Sequence, residues 1–203
     1  MLSHTQATDG GSITCQLPSE VIQGSTVKLE IVISAIQHAR MSSEISRSIT
    51  ALKSSQPKLA DAVRVVAELD GMVRKWKETL PLYIRSDAPV SVSDFPPGVR
   101  PCEAVYLRHA YHWSLIQIHS ILFHPWTKSS FGVDDIQQPE WEDQIMESTN
   151  IVVEASRNII QQLGHATIRC STPKWSVLLP PQFYSFESSK SRHTQDDPFP
   201  NTR

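Results

Sequence analysis

The stretch between Pro57 and Pro81 constrains this chain more than any other. Leu59, Ala62, Val63, Val66, Leu69, Val73, Trp76 and Leu80 recur at steps of three and four. That period lines side chains along one face of an α-helix. The stripe predicts a helix of about six turns. Proline suits the first helical position, where its missing N–H would be unpaired anyway, so Pro57 is expected to open the helix. Pro81 is expected to close it, because the residue before a proline is pushed out of helical geometry. A helix with one apolar stripe must bury it against something else.

The same period returns on both sides. Met41, Ile45, Ile49 and Leu52 form a helical face. Before them Leu29, Ile31, Val32 and Ile33 are rich in β-branched residues and could form a strand. No partner strand is evident, so helix is expected over about 26–52. Another helix is expected from about Cys102 to Phe123, with Ala104, Tyr111, Leu115, Ile118 and Leu122 as its stripe, Val105 and Leu107 flanking, and Pro125 as its stop. The next runs from about Trp141 to Leu163. Its apolar pairs recur every seven positions: Ile145 and Met146, Val152 and Val153, Ile159 and Ile160. Gly164 is placed as a left-handed stop. The connections hold Pro89, Pro96, Pro97, Gly98, Pro101, Gly132 and Pro139. The expected fold class is all-α: a multi-helix bundle, a partial domain with irregular proline-rich loops. The expected organisation is an irregular lead-in over 1–24, the helical region over 25–185 and a disordered polar tail over 186–203.

The 203 residues suffice for one domain with a real core. The formal charge is −2. Arg64, Arg74, Lys75 and Lys77 are the densest cationic group, and Glu68, Asp70 and Glu78 sit among them. A mixed helix face is the reading, with no basic stripe of the kind that grips nucleic acid. No direct DNA binding is expected from this chain. The three cysteines, Cys15, Cys102 and Cys170, are far apart, so reduced thiols are expected. They cannot supply a four-cysteine zinc site. No apolar run approaches the length of a membrane span. Met1 to Gly11 lacks a secretory apolar core, so a cytosolic or nuclear protein is expected.

A search for catalytic spacings yields little. With 7 glycines there is no phosphate loop, dinucleotide fingerprint or Gly-x-Ser-x-Gly elbow. Ser55 to Lys58 and Ser171 to Lys174 match Ser-x-x-Lys, but both contain a proline and lack companion motifs. His109, His112, His119 and His124 cluster in or just after one helix. Imidazoles sharing a face can hold zinc, yet no carboxylate falls at ligand spacing, and hydrogen-bonding histidines are the expected reading. Trp76, Trp113, Trp126, Trp141 and Trp175 lack the accompanying positive charge of a nucleic-acid stacking surface and are expected to anchor core and loops. No catalytic, cofactor-binding or metal-binding residue is assigned, and no enzyme activity is expected.

Ala67-Glu-Leu-Asp-Gly-Met-Val-Arg-Lys-Trp-Lys-Glu-Thr-Leu-Pro81 resembles a signature of the regulatory, or middle homology, domains of fungal-specific transcription factors, the zinc-binuclear-cluster activators. The matching residues are Leu69, Asp70, Trp76, Leu80 and Pro81. Leu107 to Pro125 resembles the family's helix that ends in a Leu-His-Arg-Pro-like element; here Leu122, Phe123, His124 and Pro125 stand, so the Arg position is altered. The helix around Ser148 to Leu163 and the Cys15-Gln-Leu-Pro18 segment are further matches, and the resemblance covers roughly residues 14 to 185. It implies a non-catalytic regulatory module of a transcription factor, in the nucleus, with related factors as homo- or hetero-oligomeric partners and no membrane association. A small-molecule-sensing helical domain and a truncated dimerisation decoy are the alternatives. Family members bind zinc through an N-terminal six-cysteine cluster. Three scattered cysteines cannot form it, so no cofactor is expected here, and a fragment, a truncated relative or an imperfect gene model of such a factor is expected.

Overall fold

The stripe between Pro57 and Pro81 folds as expected, with shifted ends. A computed structural model describes residues 16–55, 57–88, 95–124 and 139–163. The first helix, α1, spans Leu29–Ser54. The second, α2, spans Leu59–Thr79 and buries Leu59, Ala62, Val66, Leu69, Val73 and Trp76. Pro57 lies one residue outside the N-cap, which is Lys58. The Lys58 carbonyl accepts from the N–H groups of Asp61 and Ala62 at 3.0 and 3.2 Å, which fixes the start of the helix there. At the other end Leu80 is extended, as a residue before proline should be.

Pro81 then does more than stop α2. It caps a single further turn, α3, at Leu82–Arg85. Its carbonyl accepts from Ile84 and Arg85 at 2.8 and 3.2 Å. This turn is absent from the sequence expectation. It is set by tertiary contacts, since Ile84 is buried in the common core.

The next helix, α4, spans Pro101–His119 and runs into a 3₁₀ turn at Ser120–Leu122. Pro101, expected in the preceding loop, is its first helical residue, where the missing N–H costs nothing. Gly98 takes the left-handed conformation (φ 85°) in the turn before it, and Val99 bonds back to Pro96 at 3.1 Å. Glu103 secures the start by accepting from the Arg100 backbone N–H at 3.4 Å and from its guanidinium at 2.7 Å. The last described helix, α5, spans Pro139–Leu163.

The fold is an all-α bundle, with no strand among the described residues. The β-branched run at 29–33 is the first turn of α1, because Ile31 joins a helical core and no strand is there to pair with it. All described residues fall in one compact unit, Thr8–Ala166. Helix α4 is its centre and packs against α1, α2, α3 and α5. Ile45, Ala62, Val73, Ala104, Leu107 and Ile118 are fully buried. Each large aliphatic side chain in such a core contributes about 1.5–3 kcal/mol. Leu107, expected beside the stripe of α4, lies in its middle. The stops expected at Pro125 and Gly164, and the tail over 186–203, lie outside the described residues.

Candidate functional site

A helix in the middle of a bundle has little solvent face, so most of its polar side chains must find partners inside. Helix α4 buries Glu103, Arg108, His112, Ser114 and His119 along with its apolar stripe. Four of these reach out to neighbouring elements. They make α4 the hub of a polar network.

His119 joins two other helices. Its Nε2 lies 3.1 Å from Asp70 Oδ1 on α2, and its Nδ1 lies 3.1 Å from Ser148 Oγ on α5. Asp70 also accepts from Arg74 Nε at 2.6 Å, one turn along its own helix. Burial works to raise the Asp70 carboxyl. The bonds from His119 and Arg74 and their charges outweigh it and hold the group below its ordinary value. An ionised carboxylate only accepts, so the proton belongs on Nε2 of His119. In the neutral ring Nδ1 then accepts from the Ser148 hydroxyl.

Serine, histidine and aspartate in series resemble a nucleophilic triad. The setting is unlike one. Ser148 has 0% exposure, so a substrate has no route to its oxygen. The constellation joins α2, α4 and α5 side to side, which is the work of a structural bridge.

A second tie joins α4 to the segment after α2. Arg108 is buried and donates to three backbone carbonyls: Ile84 at 2.9 Å, Ala88 at 2.8 Å and Tyr83 at 3.0 Å. One guanidinium thereby satisfies the carbonyls at the end of α3 and pins that turn to α4. Close by, Lys77 donates to Asp87 at 2.7 Å and sits 4.4 Å from the centre of the Tyr111 ring. His112 Nε2 approaches the same carboxylate at 3.3 Å, out of line for a hydrogen bond. The His112 imidazole first, and Lys77 after it, hold Asp87 down to about 2 against the opposing effect of burial.

A third tie reaches α1. His38 Nε2 lies 3.2 Å from Ser114 Oγ, which itself donates to the Ala110 carbonyl at 2.9 Å. The His38 ring also leans on Trp76, with centroids 5.1 Å apart. Burial lowers the His38 pKa, opposed by a backbone bond to Ala110.

The structure disperses the four clustered histidines. His112 and His119 turn inward to different partners. His109 is half-buried, and burial and then the charge of His112 lower its pKa. His124 lies past the 3₁₀ turn. Among the described residues no three histidine, cysteine, aspartate or glutamate side chains come together as metal ligands. Ser55 bonds to the Leu52 carbonyl at 3.0 Å at the end of α1. Ser171, Lys174, Trp126 and Trp175 lie outside the described residues, as do Cys15 and Cys170; Cys102 is an exposed free thiol. Three of the four cations singled out in α2 are paired: Arg64 with Glu68 at 2.9 Å, Arg74 with Asp70 and Lys77 with Asp87; Lys75 is exposed. Two open surface depressions are lined by residues 20–28, Val32 and the 98–100 turn. No described helix is long and apolar enough to cross a membrane.

The class defined here is a helical bundle whose central helix is tied to its neighbours by buried polar bridges. Over 189 residues the chain is 21% identical to an ABC-transporter-regulating transcription factor of Aspergillus oryzae, covering 85% of this chain and 20% of that protein. Over 161 residues it is 23% identical to the ABC-transporter-regulating transcription factor of Aspergillus fumigatus, covering 76% of this chain and 17% of that one. The chain thus spans about a fifth of the length of the curated relatives it matches. No family model matches it, and no solved structure does. This distant similarity supports a role in transcription regulation.

Proposed function

We infer that this chain is a non-catalytic regulatory module acting in DNA-templated transcription, in the nucleus, of the kind its sequence resembles in fungal-specific transcription factors. One observation carries the reading. The part of each relative that aligns is a fifth or less of its length, yet it includes most of the bundle. The bundle's own chemistry supports it. Its buried polar groups are spent on joining helices, and its Ser-His-Asp series is closed to substrate. Three of its four densest cations, Arg64, Arg74 and Lys77, are engaged by carboxylates, which leaves no free basic stripe. Sequence recognition of DNA would then be supplied by another module.

The test is to tether the full chain to a heterologous DNA-binding domain upstream of a reporter in a fungal cell. Reporter output should differ several-fold from that of the DNA-binding domain alone, upward or downward. Output equal to the DNA-binding domain alone rejects the regulatory reading. In parallel, a salt-resistant, sequence-selective shift of duplex DNA by the purified chain would overturn the division of labour between modules.

A further inference from the structure

Helix α5 is covered on one side only. Ser148, Ala155 and Gln162, seven apart, face inward and are buried. Met146, Val153 and Ile160 follow the same spacing on the outside and are 56%, 41% and 69% exposed. They form a straight apolar line of about 21 Å along the helix. Its inner flank is continuous with half-buried Ile145, Val152 and Ile159. Between the two rows, the Thr149 and Ser156 hydroxyls donate to their own helix, to Ile145 O at 2.8 Å and Val152 O at 2.7 Å. Neither hydroxyl would be left unpaired if the face were covered. A seven-residue apolar repeat over two heptads is the geometry that another helix fits.

The other flank states what kind of helix. The helical repeat puts Asp143, Glu147 and Glu154 along one edge, all exposed. Arg157 is the one described cation of α5, and it lies 3.8 Å from Glu154. The edge is therefore acidic. A second copy of this chain is a poor occupant. Antiparallel pairing through the apolar line would set the two acidic edges against each other. Parallel pairing would set each acidic edge against the apolar flank, where carboxylates would lose water without gaining partners.

We propose that the outer face of α5 is a docking site for an amphipathic helix of a partner protein, with a heptad apolar stripe flanked by lysine or arginine. The apolar line supplies the contact and the Asp143–Glu147–Glu154 edge selects the sign of the partner's rim. This site rests on the exposed face of α5 alone and is independent of the transcriptional reading, so either can fail while the other stands.

The test uses the purified full chain and two synthetic three-heptad peptides, each with leucine at positions a and d. One carries lysine at e and g, the other glutamate. Binding is read by fluorescence anisotropy at physiological salt, with the mass of the chain alone measured by light scattering. The lysine peptide should bind at least tenfold more tightly than the glutamate peptide, to a monomeric chain. M146S/V153S/I160S, which changes only exposed positions, should abolish binding while leaving the helical circular dichroism intact. E147K/E154K should reverse the preference between the peptides. Equal affinity for both peptides, undiminished binding by the triple serine variant, binding of neither peptide, or a dimer lost on the same triple substitution would each overturn the proposal.

Discussion

Replacing His119 by alanine tests whether the buried bridge holds α5 to the rest of the bundle. The imidazole is 4% exposed and joins Asp70 and Ser148 at 3.1 Å each. Its loss leaves the fully buried Ser148 hydroxyl without that partner, which costs about 1–3 kcal/mol. It also removes a bond to a charged group, worth about 1.5–3 kcal/mol. Asp70 keeps Arg74 at 2.6 Å and some exposure to water, which softens the second effect. The expected loss for His119→Ala is about 3–4 kcal/mol, a large share of the ~5–15 kcal/mol of a typical domain. Ser148→Ala removes only a hydroxyl and should cost about 1–2 kcal/mol. The two losses should not add, because they break one bond; the coupling should be about 1 kcal/mol. Thr50→Ala is the control: its hydroxyl is exposed and bonds only within α1, to Ser46 O at 2.8 Å. Its coupling to His119 should be near zero. The assay is urea unfolding followed by circular dichroism and tryptophan fluorescence. Amide exchange should also speed up first in α5. A His119→Ala loss below about 1 kcal/mol, or additive losses at 119 and 148, would refute the bridge.

Arg108→Ala strips the carbonyls of Tyr83, Ile84 and Ala88 of a common donor and should cost about 3–5 kcal/mol by urea unfolding; Arg108→Lys should recover only part, since one ammonium cannot fork to three carbonyls. Gln162 is 1% exposed, and neither amide atom finds a partner among the described residues, so Gln162→Met should raise stability by about 1–2 kcal/mol, and a loss would show a hidden partner. Burial holds His38 below its ordinary 6.5, so the unfolded chain takes up that proton first and stability falls as pH drops below about 6.5. His38→Gln should flatten the pH dependence of the urea midpoint between about pH 7 and pH 5, with a residual slope from His109 and His124, which shift the same way. Asp87 is held down to about 2, so its contribution is present above the ordinary 3.8 and lost as pH falls toward 2; Asp87→Asn should lessen acid unfolding in that window.

The helices with one apolar face were legible in the sequence. Every third or fourth position of α2 announced itself, and Met41, Ile45, Ile49 and Leu52 did the same for α1. The one-turn α3 was not, because Ile84 and the carbonyls held by Arg108 gain their meaning from a helix that comes later in the chain. The polar bridges were hidden for a related reason. His119 meets Asp70 across 49 residues and Ser148 across 29, and no local period encodes such pairs. A signal for their setting did exist. From Pro101 to Leu122 only Glu103 and Arg108 are charged, a scarcity that marks a helix buried around most of its circumference. In such a helix, histidines are obliged to find internal partners. The heptad pairs of α5 were also visible, and the structure divides them between a half-buried inner row and an exposed outer one.

Reporter output from the tethered chain, compared with that of Ile45→Asp, tests the central claim most directly. Ile45 has 0% exposure, and an unpaired carboxylate there should unfold the bundle without touching its surface. The expected result is a several-fold change from the intact chain and a return to the level of the DNA-binding domain alone for Ile45→Asp, at matched protein abundance. The same output from both would contradict a regulatory role for the folded bundle, as would no change from either.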